Sequence, residues 1–258
     1  MAELAVHADV VYTNVSRDRK TENINLADRT TGLRPYPQFG RVDQEDSVSK
    51  SEYRGLYLRV EKRFSQRYQY LVSYSLVSSK DNSPAARWSD QSNKSVDWGP
   101  ANAERRHSLV ASGSVLLPYE FNFGAVWSQR SCLPFSAVAG RDINGDTFTS
   151  DYVPGTTRNQ GCRDLDLNLV NAYRAASGLA AVSEGAIASS RFTSVDLRLS
   201  KSFTIYGRQR IEALAQVFNV FNAANLSGIQ TNALATTFGA ASRAAAGRQA
   251  ELGLRFIW

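Results

Sequence analysis

The sequence predicts an all-β chain: about eight antiparallel strands of a transmembrane β-barrel wall, with short turns at one end and long loops at the other. Three observations carry that expectation. Apolar side chains recur at every second residue in eight separate segments, short and long connections alternate strictly, and the last strand ends on an aromatic residue.

In the first strand, Glu3 to Tyr12, Leu4, Val6, Ala8, Val10 and Tyr12 share one face, and Glu3, His7 and Asp9 lie opposite. From Tyr53 to Phe64 the apolar face is Leu56, Leu58, Val60 and Phe64, with Arg59, Glu61 and Arg63 on the other side. A turn at Ser65 to Arg67 leads into Tyr68, Tyr70, Val72, Tyr74 and Leu76. His107 to Leu117 supplies Leu109, Ala111, Val115 and Leu117, and Pro118-Tyr119-Glu120 turns the chain into Phe121, Phe123, Ala125 and Trp127. Thr193, Val195, Leu197, Leu199 and Phe203 alternate with Ser194, Asp196, Arg198, Ser200 and Ser202. Tyr206-Gly207-Arg208-Gln209 then turns into Ile211, Ala213, Ala215 and Val217. The eighth strand runs from Ala250 through Leu252, Leu254 and Phe256 to Trp258.

The connections fall into two classes. Three are tight turns, whereas the other four are long loops over about Val15 to Ser49, Lys80 to Arg105, Leu133 to Ser189 and Ala223 to Gly247. Short periplasmic turns facing longer extracellular loops are the pattern of a bacterial outer-membrane barrel. In a soluble sandwich, structureless loops of that length would count against the assignment. The strand pattern also argues against a lipocalin-type soluble barrel, because its apolar stripes would have to face inward.

Composition narrows the function classes. Hydrophobic residues are 43% of the chain, yet no uninterrupted apolar run approaches the ~20 residues that a spanning helix needs. The formal charge is +6 and the pI about 9.4, but the basic residues are scattered along strands. No helix-turn-helix, zinc or RNA-binding pattern accompanies them, so nucleic acid is not an expected partner. His7 and His107 both fall on strands, outside any nucleophile or metal-ligand motif, so no catalytic residue and no resident cofactor is expected, and the chain is not read as an enzyme. Arg59, Glu61, Arg63, Asp196, Arg198, Glu212 and Arg255 would line the interior, as an interlocking polar network before a substrate path.

Two loop features invite chemistry. Asp142, Asn144 and Asp146 occupy positions one, three and five of a calcium-loop-like phrase. However, Gly is missing after Asp146 and Val153 stands where a bidentate Glu belongs, so an Asn-Gly turn with Asp caps competes with a calcium site. Cys132 and Cys162 share one loop, and in an oxidising compartment they are expected to bridge, restraining the unfolded chain by roughly 3 kcal/mol.

The chain end Glu251-Leu252-Gly253-Leu254-Arg255-Phe256-Ile257-Trp258 reads polar-x-Gly-x-x-hydrophobic-x-aromatic. It resembles the signal that the barrel-assembly machinery recognises, with Glu251, Gly253, Phe256 and Trp258 as its marked positions. Other phrases resemble TonB-dependent receptors, in particular the Oar-like group. They include Val217-Phe218-Asn219-Val220-Phe221-Asn222 followed by Asn225, Asp142-Ile143-Asn144-Gly145-Asp146 with Arg158-Asn159, and Arg34-Pro35-Tyr36-Pro37-Gln38-Phe39-Gly40. Ser73-Tyr74-Ser75-Leu76 and Arg106-His107-Ser108-Leu109 add to the likeness.

The resemblance implies residence in the outer membrane, contact with its lipid and lipopolysaccharide, and uptake of a scarce or large nutrient. It also implies a lumen-filling plug that couples to TonB and a wall of about twenty-two strands. Residues 1–258 are therefore expected to be a single barrel region, the C-terminal part of a larger receptor. The start Met-Ala-Glu-Leu-Ala-Val lacks a basic and then apolar leader, so signal peptide and plug are expected to be absent from this fragment. An independent eight-stranded barrel acting as anchor or adhesin is the alternative expectation.

Overall fold

The computed structural model describes residues 3–83, 88–207 and 209–258. Strands β1 (Leu4–Asn23), β2 (Asp43–Ser65), β3 (Tyr68–Asp81), β4 (Gly99–Pro100), β5 (His107–Leu116) and β6 (Phe121–Arg130) precede helix α1 (Leu167–Ala176). After it come β7 (Phe192–Tyr206), β8 (Gln209–Phe218), β9 (Leu226–Ile229), β10 (Ala241–Ala244) and β11 (Gln249–Ile257). One antiparallel sheet runs β1-β2-β3-β5-β6-β7-β8-β11, with β4 on the end of β3 and a separate β9–β10 ribbon. All eight expected strands are therefore present, in sequence order. Among the described residues no helix is long and apolar enough to cross a membrane.

The register makes the wall two-sided. Val6, Val60, Val72, Ala111, Trp127 and Val195 stand opposite one another from β1 to β7. Phe123, Leu199, Ala215 and Leu252 continue the same face from β6 to β11. One residue along each strand, the facing row is His7, Arg59, Ser73, Val110, Ser128 and Ser194. Among the described residues the apolar face is left uncovered: Val10 is 82% and Leu252 88% exposed. Such a face is stable only against lipid. We predict that Leu199→Arg costs about 2–4 kcal/mol at mid-wall, read as a lower urea midpoint in phospholipid vesicles. An unchanged midpoint would place Leu199 away from the acyl phase.

The tight turns follow from local chemistry. Between β2 and β3, Gln66 and Arg67 both adopt positive φ (51° and 74°), the two-residue geometry whose twist matches the flanking strands. Pro118 opens the β5–β6 turn, where Tyr119 and Glu120 also have positive φ, and Gly207 follows β7 at φ 57°. Arg208, expected in that last turn, lies outside the described residues. At the turn ends, two outward lysines lie over aromatic rings: Lys62 is 3.9 Å from the Tyr68 ring centre, and Lys201 is 4.6 Å from Phe121 and 5.0 Å from Phe203.

At the opposite end three expectations need correction. The first strand does not stop near Tyr12, and the loop expected over Val15 to Ser49 shrinks to residues 24–42, because β1 and β2 stay paired up to Asn23↔Asp43. Their upper parts are polar on both faces, so the ladder continues past a bulge at Val15–Asp18 without leaving an alternating signature. Pairing likewise carries β3 through Lys80, where the sequence pattern places the next loop. Thirdly, the two longest loops are ordered. Phe135, Ala137, Ala139, Val153, Val170, Tyr173, Ala233 and Phe238 form the buried hydrophobic cluster of the described chain, and it sits in the loops, above the wall. Helix α1 belongs to it, capped by Asp166, whose carboxylate accepts from Asn168 N–H at 2.8 Å.

Candidate functional site

Two surfaces can meet a solute: the inner face of the wall and the loop layer over it. On the inner face the register gathers the expected polar residues. Arg59 pairs with Glu61 at 2.6 Å, and Glu212 receives Arg198 at 3.5 Å and Arg255 at 3.6 Å from the strands on either side. Asp196 accepts from Ser194 Oγ at 2.7 Å and Asn219 N–H at 2.8 Å. Glu61, Arg63, Gln69, Ser114, Asp196 and Arg198 line a cavity of about 570 Å³. Exposed ion pairs of this kind add little stability; their arrangement makes the wall hydrophilic and charged in both signs.

The phrase Phe218-Asn219-Val220-Phe221-Asn222 with Asn225 has a structural task, which its sequence did not disclose. Asn219 and Asn222 take positive φ, at 48° and 52°. Asn219 brackets Ala223, accepting from its N–H at 2.9 Å and donating to its C=O at 3.0 Å. Asn225 clamps Thr193 at the start of β7 through both backbone groups, at 2.7 and 2.9 Å. The side-chain amides replace strand hydrogen bonds where β8 leaves the sheet.

The loop layer is fixed by three buried side chains and a disulfide. Arg158, 2% exposed, donates to the carbonyl of Asp81 at 2.8 Å, forms an ion pair with the Asp81 carboxylate and reaches Asn102 Oδ1 at 3.0 Å. Asn159 beside it donates to Pro100 C=O at 2.6 Å. Gly99 admits this contact, since a Cβ there would stand 2.5 Å from the Arg158 carbonyl oxygen. Secondly, Asp97, fully buried, accepts from Ser89 N–H and Oγ and from Tyr152 Oη at 3.0, 2.8 and 2.8 Å. Thirdly, Cys132 and Cys162 are joined in a disulfide with Cα atoms 6.4 Å apart. Asn25, also fully buried, holds the Arg34–Gly40 phrase by donating to the carbonyls of Tyr36, Phe39 and Gly40.

Asp142, Asn144 and Asp146 form a closed turn whose oxygens serve its own backbone. Asp142 accepts from Gly145 N–H at 2.6 Å and Thr147 N–H at 2.7 Å, Asn144 Oδ1 from Asp146 N–H at 2.9 Å, and Asp146 from Phe148 N–H at 2.8 Å. Asn144 turns its amide to Asp151 and to Ser89 C=O. Among the described residues no group of three or more His, Cys, Asp or Glu is placed to hold a metal ion.

Burial pushes the carboxyls of Asp97, Asp146 and Asp151 above the ordinary range, and Asp142 adds like-charge repulsion at the latter two. A raised folded-state pKa stabilises most below the unfolded value of 3.8 and loses that contribution as pH rises through the folded value. We therefore expect the urea midpoint of the loop layer, followed by emission of the buried Trp88, to rise as pH falls from about 7 toward 4. Asp97→Asn should flatten that rise. A midpoint that falls over the same window would show that other groups dominate.

At the chain end, β11 pairs among the described residues on one side, with β8. Glu251 lies opposite Gln216, Gly253 opposite Leu214 and Phe256 opposite Ile211. Trp258 follows the strand, 85% exposed, its ring 6.0 Å from that of Phe256.

An antiparallel wall that is apolar outside and polar inside, with tight turns below and packed loops above, defines an outer-membrane β-barrel wall. The chain belongs to the outer membrane beta barrel domain family, whose model matches residues 6–251, and its location is the bacterial outer membrane. No curated protein matches it. In fold it is similar to the siderophore receptor PiuA from Acinetobacter baumannii (11% identity, TM-score 0.53), with 98% of this chain matching 26% of that one. It is also similar to the outer membrane transporter YddB from Escherichia coli (11% identity, TM-score 0.55), with 97% of this chain matching 30% of that one. The chain thus spans less than a third of either structure.

Proposed function

We propose that the chain is one arc of the wall of a TonB-dependent uptake receptor for a nutrient too large or too scarce for open pores. The observation that carries this reading is the open sheet: among the described residues β1 and β11 are both edges, each hydrogen-bonded to one neighbouring strand. Unpaired backbone groups facing lipid cost several kcal/mol each, so these edges belong beside further strands. The two fold relatives, a receptor and a transporter, support the same class. A hydrophilic inner cavity of about 570 Å³ suits a polar solute. Energy reaches the site through TonB acting on a plug beyond this segment. Nothing in the proposed passage needs catalysis, and His107 is committed through Nδ1 to Tyr74 Oη at 2.8 Å. The exposed apolar face and terminal Trp258 of β11 suit it to edge addition by the assembly machinery.

The test compares the isolated chain with the barrel extracted from membranes. Refolded alone in detergent, the chain should give no compact, heat-modifiable band, and cysteines replacing Val6 or Ala8 on β1 should not cross-link to cysteines replacing Leu252 or Leu254 on β11. A compact band with β1–β11 cross-links would mean that the chain closes on itself as a small anchor, and the uptake reading would fall.

A further inference from the structure

A second groove, of about 620 Å³, opens on the outer face of the wall where the loops begin, and Lys80, Trp98, Arg106, His107, Ser131 and Arg191 contribute to its lining. Its side of the sheet follows from the register. Lys80 lies four residues above Leu76 on the same face, and Leu76 pairs with His107. Ser131 N–H donates to the His107 carbonyl at 2.8 Å, while Arg191 immediately precedes β7, two residues before outward Thr193. Lys80, His107, Ser131 and Arg191 belong to the face that carries Val72, Ala111, Trp127 and Val195 lower down, and Arg106 and Trp98, which lie outside the ladder, line the same groove. The outward positions therefore change from apolar to polar and basic at the level where the strands leave the hydrocarbon.

Charge in the groove is unbalanced. Of its basic residues, Arg158 and Arg163 are neutralised by Asp81 and Glu104. Lys80, Arg106 and Arg191 are exposed and form no ion pair among the described residues. Asp164 is the exposed carboxylate in the same wall. Solutes in the lumen cannot reach this outer face. Its neighbours are the headgroups of the outer leaflet, and a basic pocket at headgroup height recognises their phosphates.

We propose that Lys80, Arg106 and Arg191 form a binding site for the phosphate groups of an anionic outer-leaflet lipid of the lipid A type, with Trp98 at the interface beside it. The site depends on the outer-membrane location and the outward face, and is independent of uptake. The disulfide at Cys132–Cys162 and the Arg158 contacts form its floor, so the loops present it as a rigid surface.

The test uses the barrel extracted from outer membranes, delipidated in mild detergent and titrated with diphosphoryl lipid A under native mass spectrometry. The triple variant Lys80→Gln, Arg106→Gln, Arg191→Gln should bind about tenfold to a hundredfold more weakly than wild type. The single variant Arg191→Glu should also weaken binding. A control of equal charge change, Arg17→Gln, Arg210→Gln, Arg243→Gln, should leave it unchanged. Lipid A stripped of phosphate should bind wild type as poorly as diphosphoryl lipid A binds the triple variant. Equal binding by triple variant and wild type, or equal binding of stripped and phosphorylated lipid, would overturn the proposal. Saturation of the same three residues by inorganic phosphate without lipid would assign the site to a free anion and overturn the lipid assignment.

Discussion

Replacing Arg158 with Met should release the loop layer from the wall while leaving the strand ladder paired. The guanidinium is 2% exposed and is shared between the Asp81 carboxylate, the Asp81 carbonyl and Asn102. Removing one partner of a buried pair leaves a charge and hydrogen-bonding groups stranded, at a cost of about 3–5 kcal/mol. Met preserves much of the volume, so the loss reports the polar contacts. The backbone of Arg158 also belongs to the seam, since its N–H donates to the Val96 carbonyl at 3.1 Å. Loosening there should propagate to the neighbouring Asp97, on which the positive charge of Arg158 acts to lower the carboxyl. Without it, Asp97 should titrate at still higher pH, and the acid-side gain in loop stability should begin earlier. Hydrogen exchange is the direct measurement: faster exchange in residues 88–104 and 131–191, unchanged in β5 to β8. Exchange in the loops that changes by less than about 1 kcal/mol equivalent would mean that the hydrophobic cluster alone seats the layer.

The sheet was legible in the sequence because each transmembrane strand is forced to separate lipid from water at period two. Leu56, Leu58 and Val60 against Arg59 and Glu61 could be written down without coordinates, and the structure pairs them as that pattern requires. The same physics explains the miss above the membrane. Ser16 to Asn23 and Asp43 to Ser51 are polar on both faces, and even the buried Lys20, Asn23 and Ser49 are polar, so backbone pairing there leaves no apolar alternation to record it.

The loop core was hidden for a different reason. Phe135, Val153, Val170, Ala233 and Phe238 are dispersed over a hundred residues and meet through turns that have no period. Arg158 and Asp81, 77 residues apart, left no local trace either. Arg158-Asn159 resembles a family phrase, yet it takes the fold to show that it bolts a loop to the end of β3. The inner charges were half legible. Their face was predictable, but that Glu212 receives Arg198 and Arg255 at once depends on the register of three strands.

Converting both Cys132 and Cys162 to Ser should produce the other large effect, confined to the loop that they close. Cys132 lies just beyond β6, and Cys162 follows Gly161, whose N–H donates to the Phe135 carbonyl at 2.7 Å. The bridge thus ties a strand end to the edge of the hydrophobic cluster. It closes a segment of 30 residues, for which chain entropy gives about 3–4 kcal/mol of stabilisation. Because Phe135, Val153 and Tyr152 all lie inside that segment, the reduced or serine form should retain the wall but lose cooperative packing of the loop layer. Limited proteolysis within residues 133–161 should accelerate, with little change in heat-modifiable migration of the barrel from the membrane. Reduction of wild type should reproduce the variant's cleavage rate, and reductant should do nothing further to the double serine chain. If cleavage is equally slow with and without the bridge, the core and the Arg158 contacts suffice, and the disulfide contributes nothing measurable to holding the loops above the lumen.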